Sequence, residues 1–326
     1  MKKLIEDFPL HLRNAVQYVS KQKKQGRISI PEKVIVAGMG GSGIAAKIIV
    51  DILADQLPVP VLLYNSYFFP LYVNKKSRVI VSSYSGNTEE TLLFFERTLE
   101  KKIPHSIITS GGKLLEKGKA LKSEILQLPE GFPPRACLGY SMVYFLSLLI
   151  RYKLSEEKYL QQIVQASHFL ELEQPDIQEN AYKMARRLFR KMIVIYALGK
   201  NEGIAVRLRQ QINENAKMLC WHHVFPEMTH NELVGWKGKY ENVGVITLRT
   251  SYDYPTNIKR WEYAKNIMQQ SCREVNEIPA KGNNIWEEML YLIHFSDWLS
   301  CYLAELRNVD PVEVHVISGL KKHIGE

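Results

Sequence analysis

The sequence predicts an α/β protein of two related units, each a doubly wound, mainly parallel sheet flanked by helices. Two successions of strand, glycine turn and helix predict it, one in each half of the chain, together with short apolar runs that alternate with helical segments. In the first succession Lys33-Val34-Ile35-Val36-Ala37 reads as a strand, Gly38-Met39-Gly40-Gly41-Ser42-Gly43 as a turn, and Ile44 to Val50 as a helix. Further strands are expected at Val59–Tyr64, Arg78–Ser82, His105–Thr109 and Glu124–Leu128. Val143–Ile150 is apolar but short and reads as a buried helix or strand, and the Glu- and Gln-rich stretch Leu154–Ile177 as a helical crossover. Met192–Ala197 then repeats the strand, Leu198-Gly199-Lys200-Asn201-Glu202-Gly203 the turn, and Ile204–Arg209 the start of the helix, about 160 residues after the first copy. Val243–Leu248 and Arg273–Val275 continue the second unit more weakly. A length of 326 residues lets both units bury a core, and the expected division is 1–152 and 153–326.

Charges of both signs are interspersed, and no stretch holds the ~18–20 uninterrupted apolar residues of a membrane span, so a soluble protein with no membrane partner is expected. Met1-Lys2-Lys3-Leu4-Ile5-Glu6-Asp7 lacks the apolar core and cleavage site of a signal peptide, which makes the cytoplasm the expected compartment. Cys137, Cys220, Cys272 and Cys301 are scattered without a C-x-x-C pair, so reduced thiols are expected. His222-His223 has no third ligand at a recognisable spacing, so no metal site is expected. The net charge of +9 favours anionic partners. Lys21-Gln22-Lys23-Lys24 and Lys75-Lys76 are short, however, and no nucleic-acid-binding pattern accompanies them, which favours a small anionic substrate over nucleic acid.

Gly38, Gly40 and Gly43 satisfy the dinucleotide fingerprint G-x-G-x-x-G. That site also needs an acidic residue at the end of the second strand, and here the strand ends Leu62-Leu63-Tyr64-Asn65-Ser66. No Gly-Lys-Ser or Gly-Lys-Thr closes the loop as a P-loop would. What remains is a tight turn whose N–H groups approach an anion at a helix start, with Gly41 and Ser42 as candidate contacts. After the strand Val79–Val81 comes Ser82-Ser83-Tyr84-Ser85-Gly86-Asn87-Thr88-Glu89-Glu90. Asn87 with Glu90 supplies a capping box, so the hydroxyls of Ser83, Ser85 and Thr88 are surplus to capping and suit a phosphate dianion. The second glycine turn has no such cradle and is expected not to hold phosphate.

In the second half, the helix continues through Asn213-Glu214-Asn215-Ala216-Lys217-Met218-Leu219. Leu208, Ile212, Ala216 and Leu219 form its packed stripe and leave Glu214 at the border, where partial desolvation makes a carboxylate a better base. Phe225-Pro226-Glu227-Met228-Thr229-His230-Asn231-Glu232 places His230 among turn formers and off any periodic apolar face, as functional loop histidines are placed.

Gly38–Ala45 and Ser83–Thr91 resemble the two signature loops of sugar isomerase (SIS) domains, and these with Asn213–Lys217 and Pro226–Glu232 resemble, in order, the motifs of the bifunctional phosphoglucose/phosphomannose isomerases. The resemblance implies two SIS domains and an aldose-ketose isomerase of carbohydrate metabolism that needs no cofactor. Glu214 is then the base moving a proton between C1 and C2, and His230 serves ring opening from the neighbouring subunit of a homodimer. Phe132-Pro133-Pro134-Arg135 resembles the family's Pro-Arg turn, which implies that Arg135 steadies the enediolate oxygen. Leu320-Lys321-Lys322 resembles its closing Leu-Lys, which implies that Lys321, in preference to Lys322, reaches the sugar ring. Gly41, Ser42, Ser83, Ser85 and Thr88, with Arg135, His230 and Lys321, then contact the sugar phosphate. Two other readings stay open. A non-catalytic sugar-phosphate sensor would keep the cradle without needing Glu214 or His230, and a ketosamine-phosphate isomerase or deglycase would accept an amine at C2.

Overall fold

The computed structural model describes residues 1–22 and 29–324; Lys23 and Lys24 of the basic run lie outside the described residues. The chain opens with α1 (Lys2–Glu6) and α2 (Phe8–Ser20), followed by β1 (Lys33–Ala37), α3 (Gly40–Ile52), β2 (Val61–Tyr64), β3 (Ser77–Ser82) and α4 (Glu89–Glu100). Next come β4 (His105–Thr109), α5 (Gly112–Ala120), β5 (Glu124–Gln127), a 3-10 turn at Pro134–Cys137, α6 (Leu138–Arg151) and the long α7 (Lys158–Leu188). The second half runs β6 (Met192–Ala197), α8 (Glu202–Ala216), β7 (Cys220–Val224) and two 3-10 turns, Glu227–His230 and Glu232–Lys237. It closes with β8 (Val243–Arg249), α9 (Pro255–Ser271), β9 (Glu274–Pro279), α10 (Ile285–Leu306) and α11 (His315–Ile324).

Two all-parallel sheets result, ordered β2-β1-β3-β4-β5 and β7-β6-β8-β9. Parallel strands need helical crossovers that cover both sheet faces, which is why the inner strands β1, β3 and β6 are rich in Val and Ile and almost wholly buried. In the first sheet Ile35, Val79, Val81, Phe94, Phe95 and Ile107 form one core cluster. In the second, Val194, Tyr196, Val245, Trp261 and Met268 form another. Complete burial of each such side chain is worth about 1.5–3 kcal/mol. In both sheets the order of connection reverses at the central pair, β1 beside β3 and β6 beside β8. A crevice opens beyond the strand ends at such a switch point, and there the glycine turn and the following strand's loop stand side by side.

By internal packing the chain divides into two units that do not follow its linear order. Leu10–Val164 and Val314–Glu326 make one, and Met1–Pro9 with Gln165–Glu313 make the other. In the latter, α1 buries Ile5 and Lys2 pairs with Glu305 of α10 at 2.7 Å. Among the described residues no helix is long and apolar enough to cross a membrane. The four cysteines are free thiols, three of them buried.

Three local expectations are corrected. α8 stops at Ala216 because Lys217 turns left-handed (φ 54°), so Leu219 leaves the packed stripe and is 81% exposed, whereas Leu208, Ile212 and Ala216 are buried. The segment after it forms an unforeseen edge strand, β7, that carries His222 and His223. α4 is preceded by Thr88, and Asn87 makes no capping box; its Oδ1 accepts from the Lys113 N–H at 3.0 Å, tying the serine loop to the start of α5. The crossover helix also runs later than Leu154–Ile177, over the range of α7, with Pro175 inside it.

Candidate active site

In the unit holding the first sheet, the glycine turn after β1 becomes the first turn of α3, which has no side-chain cap. The Ser42 and Gly43 N–H groups donate to the Met39 carbonyl at 3.0 and 3.3 Å, which leaves the Gly41 N–H as a donor at the helix start. Compactness here depends on glycine. A Cβ on Gly38 would sit 2.8 Å from the Ser82 carbonyl oxygen, and one on Gly43 2.7 Å from that of Gly38. A Cβ on Gly41 would meet Pro134 and Arg135 at 3.3–3.4 Å, so the glycine turn lies directly against the Pro134–Cys137 turn. Arg135 is only 5% exposed, and its backbone is thus held beside Gly41 and Ser42.

The serine loop closes the other side. The Tyr84 N–H donates to Ser42 Oγ at 3.0 Å, and Ser82 Oγ donates to the Ser42 carbonyl at 3.2 Å, linking the two loops. Ser83 and Thr88 hydroxyls lie 2.9 Å apart, and the Gly86 N–H donates to Ser83 Oγ at 3.1 Å. Ser85 is exposed, and its Oγ accepts from the Asn87 N–H at 3.3 Å. Gly86 has φ +67°, and a Cβ on it would fall 1.8 Å from the Gly111 carbonyl oxygen, a position that only glycine fills. Ser42, Ser83 and Thr88 therefore form a preorganised hydroxyl cluster, with Gly41 and Arg135 adjoining it.

Lys321 lies on α11, which is assigned to this same unit, and its side chain is exposed. Glu214 and His230 belong to the other unit. Glu214 occupies the last turn of α8, half-buried, and the Lys217 ammonium donates to its carbonyl at 2.8 Å. His230 ends the exposed 3-10 turn after β7. Its loop is fixed on both flanks: Arg260 donates to Thr229 Oγ1 at 2.8 Å, and the Tyr196 hydroxyl donates to Glu232 while accepting from Trp236 Nε1 at 2.9 Å. Burial and the neighbouring Glu232 push the Tyr196 hydroxyl pKa upward, so it remains a donor.

Comparison with known proteins identifies the family. Residues 177–324 match the family described as "Bacterial phospho-glucose isomerase C-terminal SIS domain". A bifunctional phosphoglucose/phosphomannose isomerase of Caldicellulosiruptor bescii is 34% identical over 305 residues, 90% of each chain. Another, of Thermoplasma volcanium, is 33% identical over 317 residues, 97% of each chain. The chain belongs to the bifunctional phosphoglucose/phosphomannose isomerase family. In fold it is also similar to the C-terminal domain of glucosamine-fructose-6-phosphate aminotransferase from Francisella tularensis, with TM-score 0.72 and 13% identity over 96% of this chain and 97% of that one.

This isomerase-family chain organises its site with residues that sequence reasoning missed. Tyr84 donates its hydroxyl to the Pro129 carbonyl at 3.0 Å and accepts from the Phe132 N–H at 2.8 Å, so one side chain joins the serine loop to the segment leading into Arg135. Burial raises its pKa and keeps it protonated in that role. Its only signal in the sequence was an aromatic residue embedded in a run of hydroxyls. The Cys137 thiol, at the end of the Arg135 turn, is pushed up to about 12 by burial and stays an unreactive thiol. Among the described residues no three His, Cys, Asp or Glu side chains are grouped to share a metal ion.

Proposed function

We propose that the protein interconverts glucose 6-phosphate and mannose 6-phosphate with fructose 6-phosphate through a common enediol. The observation carrying this reading is the linked cluster of Ser42, Ser83 and Thr88 beside the buried Arg135, in a chain of this isomerase family. The 6-phosphate accepts from these hydroxyls, from Ser85 and from the Gly41 N–H, where the start of α3 favours negative charge. His230 and Lys321 open the ring by moving the proton between the ring oxygen and the anomeric hydroxyl. Glu214 removes the C2 proton of the open-chain aldose, the electron pair forms the C1–C2 double bond, and the carbonyl oxygen takes up negative charge beside Arg135. Returning the proton to C1 gives the ketose. Glucose and mannose 6-phosphates differ only at C2 and yield the same enediol, so one base serves both epimers.

In this reading residues 1–152 supply the phosphate cradle and residues 153–326 the base and the histidine. The working form is a cytoplasmic homodimer in which His230 acts on the neighbouring chain's substrate, in keeping with its exposure at the end of a rigid loop. The test is a coupled assay starting from fructose 6-phosphate that scores glucose and mannose 6-phosphates separately. Glu214→Gln is expected to lower kcat by about 10²–10⁴-fold with little change in KM. Absence of turnover by the natural chain would overturn the isomerase reading, and equal turnover by the variant would remove Glu214 as the base.

A further inference from the structure

We infer that the second sheet retains an anion-binding loop equivalent to the serine cradle, and that its ligand is the chain's own pair of carboxylates, Asp253 and Glu288. The two loops can be aligned from strand register alone. Ala37 pairs with Val81 across β1 and β3, as Ala197 pairs with Leu248 across β6 and β8. Counting on from the paired residues, Ser83 matches Thr250, Tyr84 matches Ser251, and Gly86 matches Asp253. The same backbone hydrogen bond closes both turns, although Gly86 alone of the two has a positive φ. The Gly86 N–H donates to the Ser83 carbonyl at 3.2 Å, and the Asp253 N–H to the Thr250 carbonyl at 3.4 Å.

The difference lies in what fills the turn. In the first loop a side chain at Gly86 is sterically impossible, and the Ser83 and Thr88 hydroxyls bond each other. In the second, the Asp253 carboxylate folds back over its own loop with 0% exposure. It accepts from the Thr250 N–H at 3.1 Å, from Thr250 Oγ1 at 2.8 Å and from Arg249 Nε at 2.9 Å, and Oδ1 stands 3.8 Å from where a Cβ on Gly199 would be. Glu288, 4% exposed, takes the next donors, accepting from the Ser251 N–H at 2.8 Å and from the Ser251 hydroxyl. A guanidinium, two loop N–H groups and two hydroxyls thus serve two carboxylates, a donor set that suits a tetrahedral oxyanion equally well. Because both anions are covalently part of the chain, no free phosphate competes with them. The result is one phosphate cradle per chain.

Equating the first loop with a phosphate site rests on the proposed function, so the experiment separates the two. Inorganic phosphate is titrated calorimetrically into the full chain, into Ser83→Ala/Thr88→Val, and into that variant with Asp253→Gly added. The natural chain is expected to bind one equivalent, the cradle variant none, and the triple variant one again, in a salt-sensitive manner. Phosphate at ten times its Kd should then raise the Tm of the triple variant by about 3 °C. Unchanged binding by the cradle variant would overturn the first loop's assignment and leave the second untouched. Folded triple variant without phosphate binding would overturn the inference. If Asp253→Gly does not fold, Asp253→Asn and Glu288→Gln carry the test. Phosphate, but not chloride at equal ionic strength, must restore part of their lost Tm, and failure to do so overturns the inference equally.

Discussion

Removing the carboxylate of Asp297 is expected to be among the most destabilising single changes in the second unit. Arg207 of α8 holds it through Nε at 3.1 Å and Nη2 at 2.7 Å, and Gln211 Nε2 adds a third donor at 2.9 Å. The Arg207 and Asp297 side chains are 2% and 5% exposed, so neither water nor salt can take a lost partner's place. Asp297→Ala leaves a guanidinium buried against an apolar gap, which costs about 3–5 kcal/mol, a fall in Tm of roughly 10 °C. The same reasoning makes an opposite prediction for removal of the whole group. Taking a buried pair out of water is itself expensive, so Arg207→Met/Gln211→Leu/Asp297→Leu should return to within about 1 kcal/mol of the natural chain. Gln211 belongs in that set because its amide would otherwise lose its acceptor. Thermal unfolding followed by circular dichroism measures both. A loss below about 1 kcal/mol in Asp297→Ala, or a triple variant less stable than the single one, would refute the account of this pair.

Four other outcomes follow. Burial holds the His294 pKa down at about 3, so the folded chain keeps it neutral while the unfolded chain protonates near its ordinary 6.5. Its contribution is complete above pH 6.5 and is lost as pH falls toward 3, at about 1.4 kcal/mol per unit; His294→Gln should flatten the stability profile between pH 6 and 4 by that slope. Gly86→Ala should raise the KM for fructose 6-phosphate more than about tenfold by breaking the serine loop, while Gly111→Ala, whose Cβ meets nothing within 4 Å, leaves it unchanged. Lys217→Met should lower Tm by roughly 3 °C, because its half-buried ammonium donates to the carbonyls of Glu214, Asp310 and Glu313 at 2.8, 2.6 and 2.8 Å. Tyr84→Phe should raise the same KM several-fold without lowering kcat in proportion, since it frees the segment before Arg135 and leaves every hydroxyl of the cradle in place.

Where a strand is a β-branched run halted by glycine or a turn, its limits were legible: β1, β4 and β6 span the expected residues. The meeting of the Ser83 and Thr88 hydroxyls was legible for a similar reason, since both are local to one loop. β7 was not, because Cys-Trp-His-His-Val is a half-exposed edge strand with no run of apolar residues to announce it. The end of α8 was missed because a lysine, where glycine or asparagine is usual, adopts the left-handed turn, and two carbonyls from distant residues, Asp310 and Glu313, hold its side chain. Asn87 and Glu90 satisfy a capping pattern, yet a backbone N–H 26 residues away competes successfully for the Asn87 oxygen. The donors that hold Asp253 and Glu288 could not be read from the sequence for a related reason. Their partners are set by the crossover of strands and by α10, which local spacing does not encode.

The exchange of chain ends between the two units has a consequence for synthesis. Residues 1–9 leave the ribosome before residues 165–313, with which they are grouped by packing, whereas residues 10–164 are made before residues 314–326, which are grouped with them. Residues 1–9 therefore wait for the rest of their unit, and the unit built on residues 10–164 lacks α11 when its main span has emerged. A stop between the halves would strand Ile5 of α1 without the α10 surface it covers, and would deprive the first unit of its closing helix. The second unit thus draws on a segment made ahead of the first unit, even though each has its own sheet and its own core.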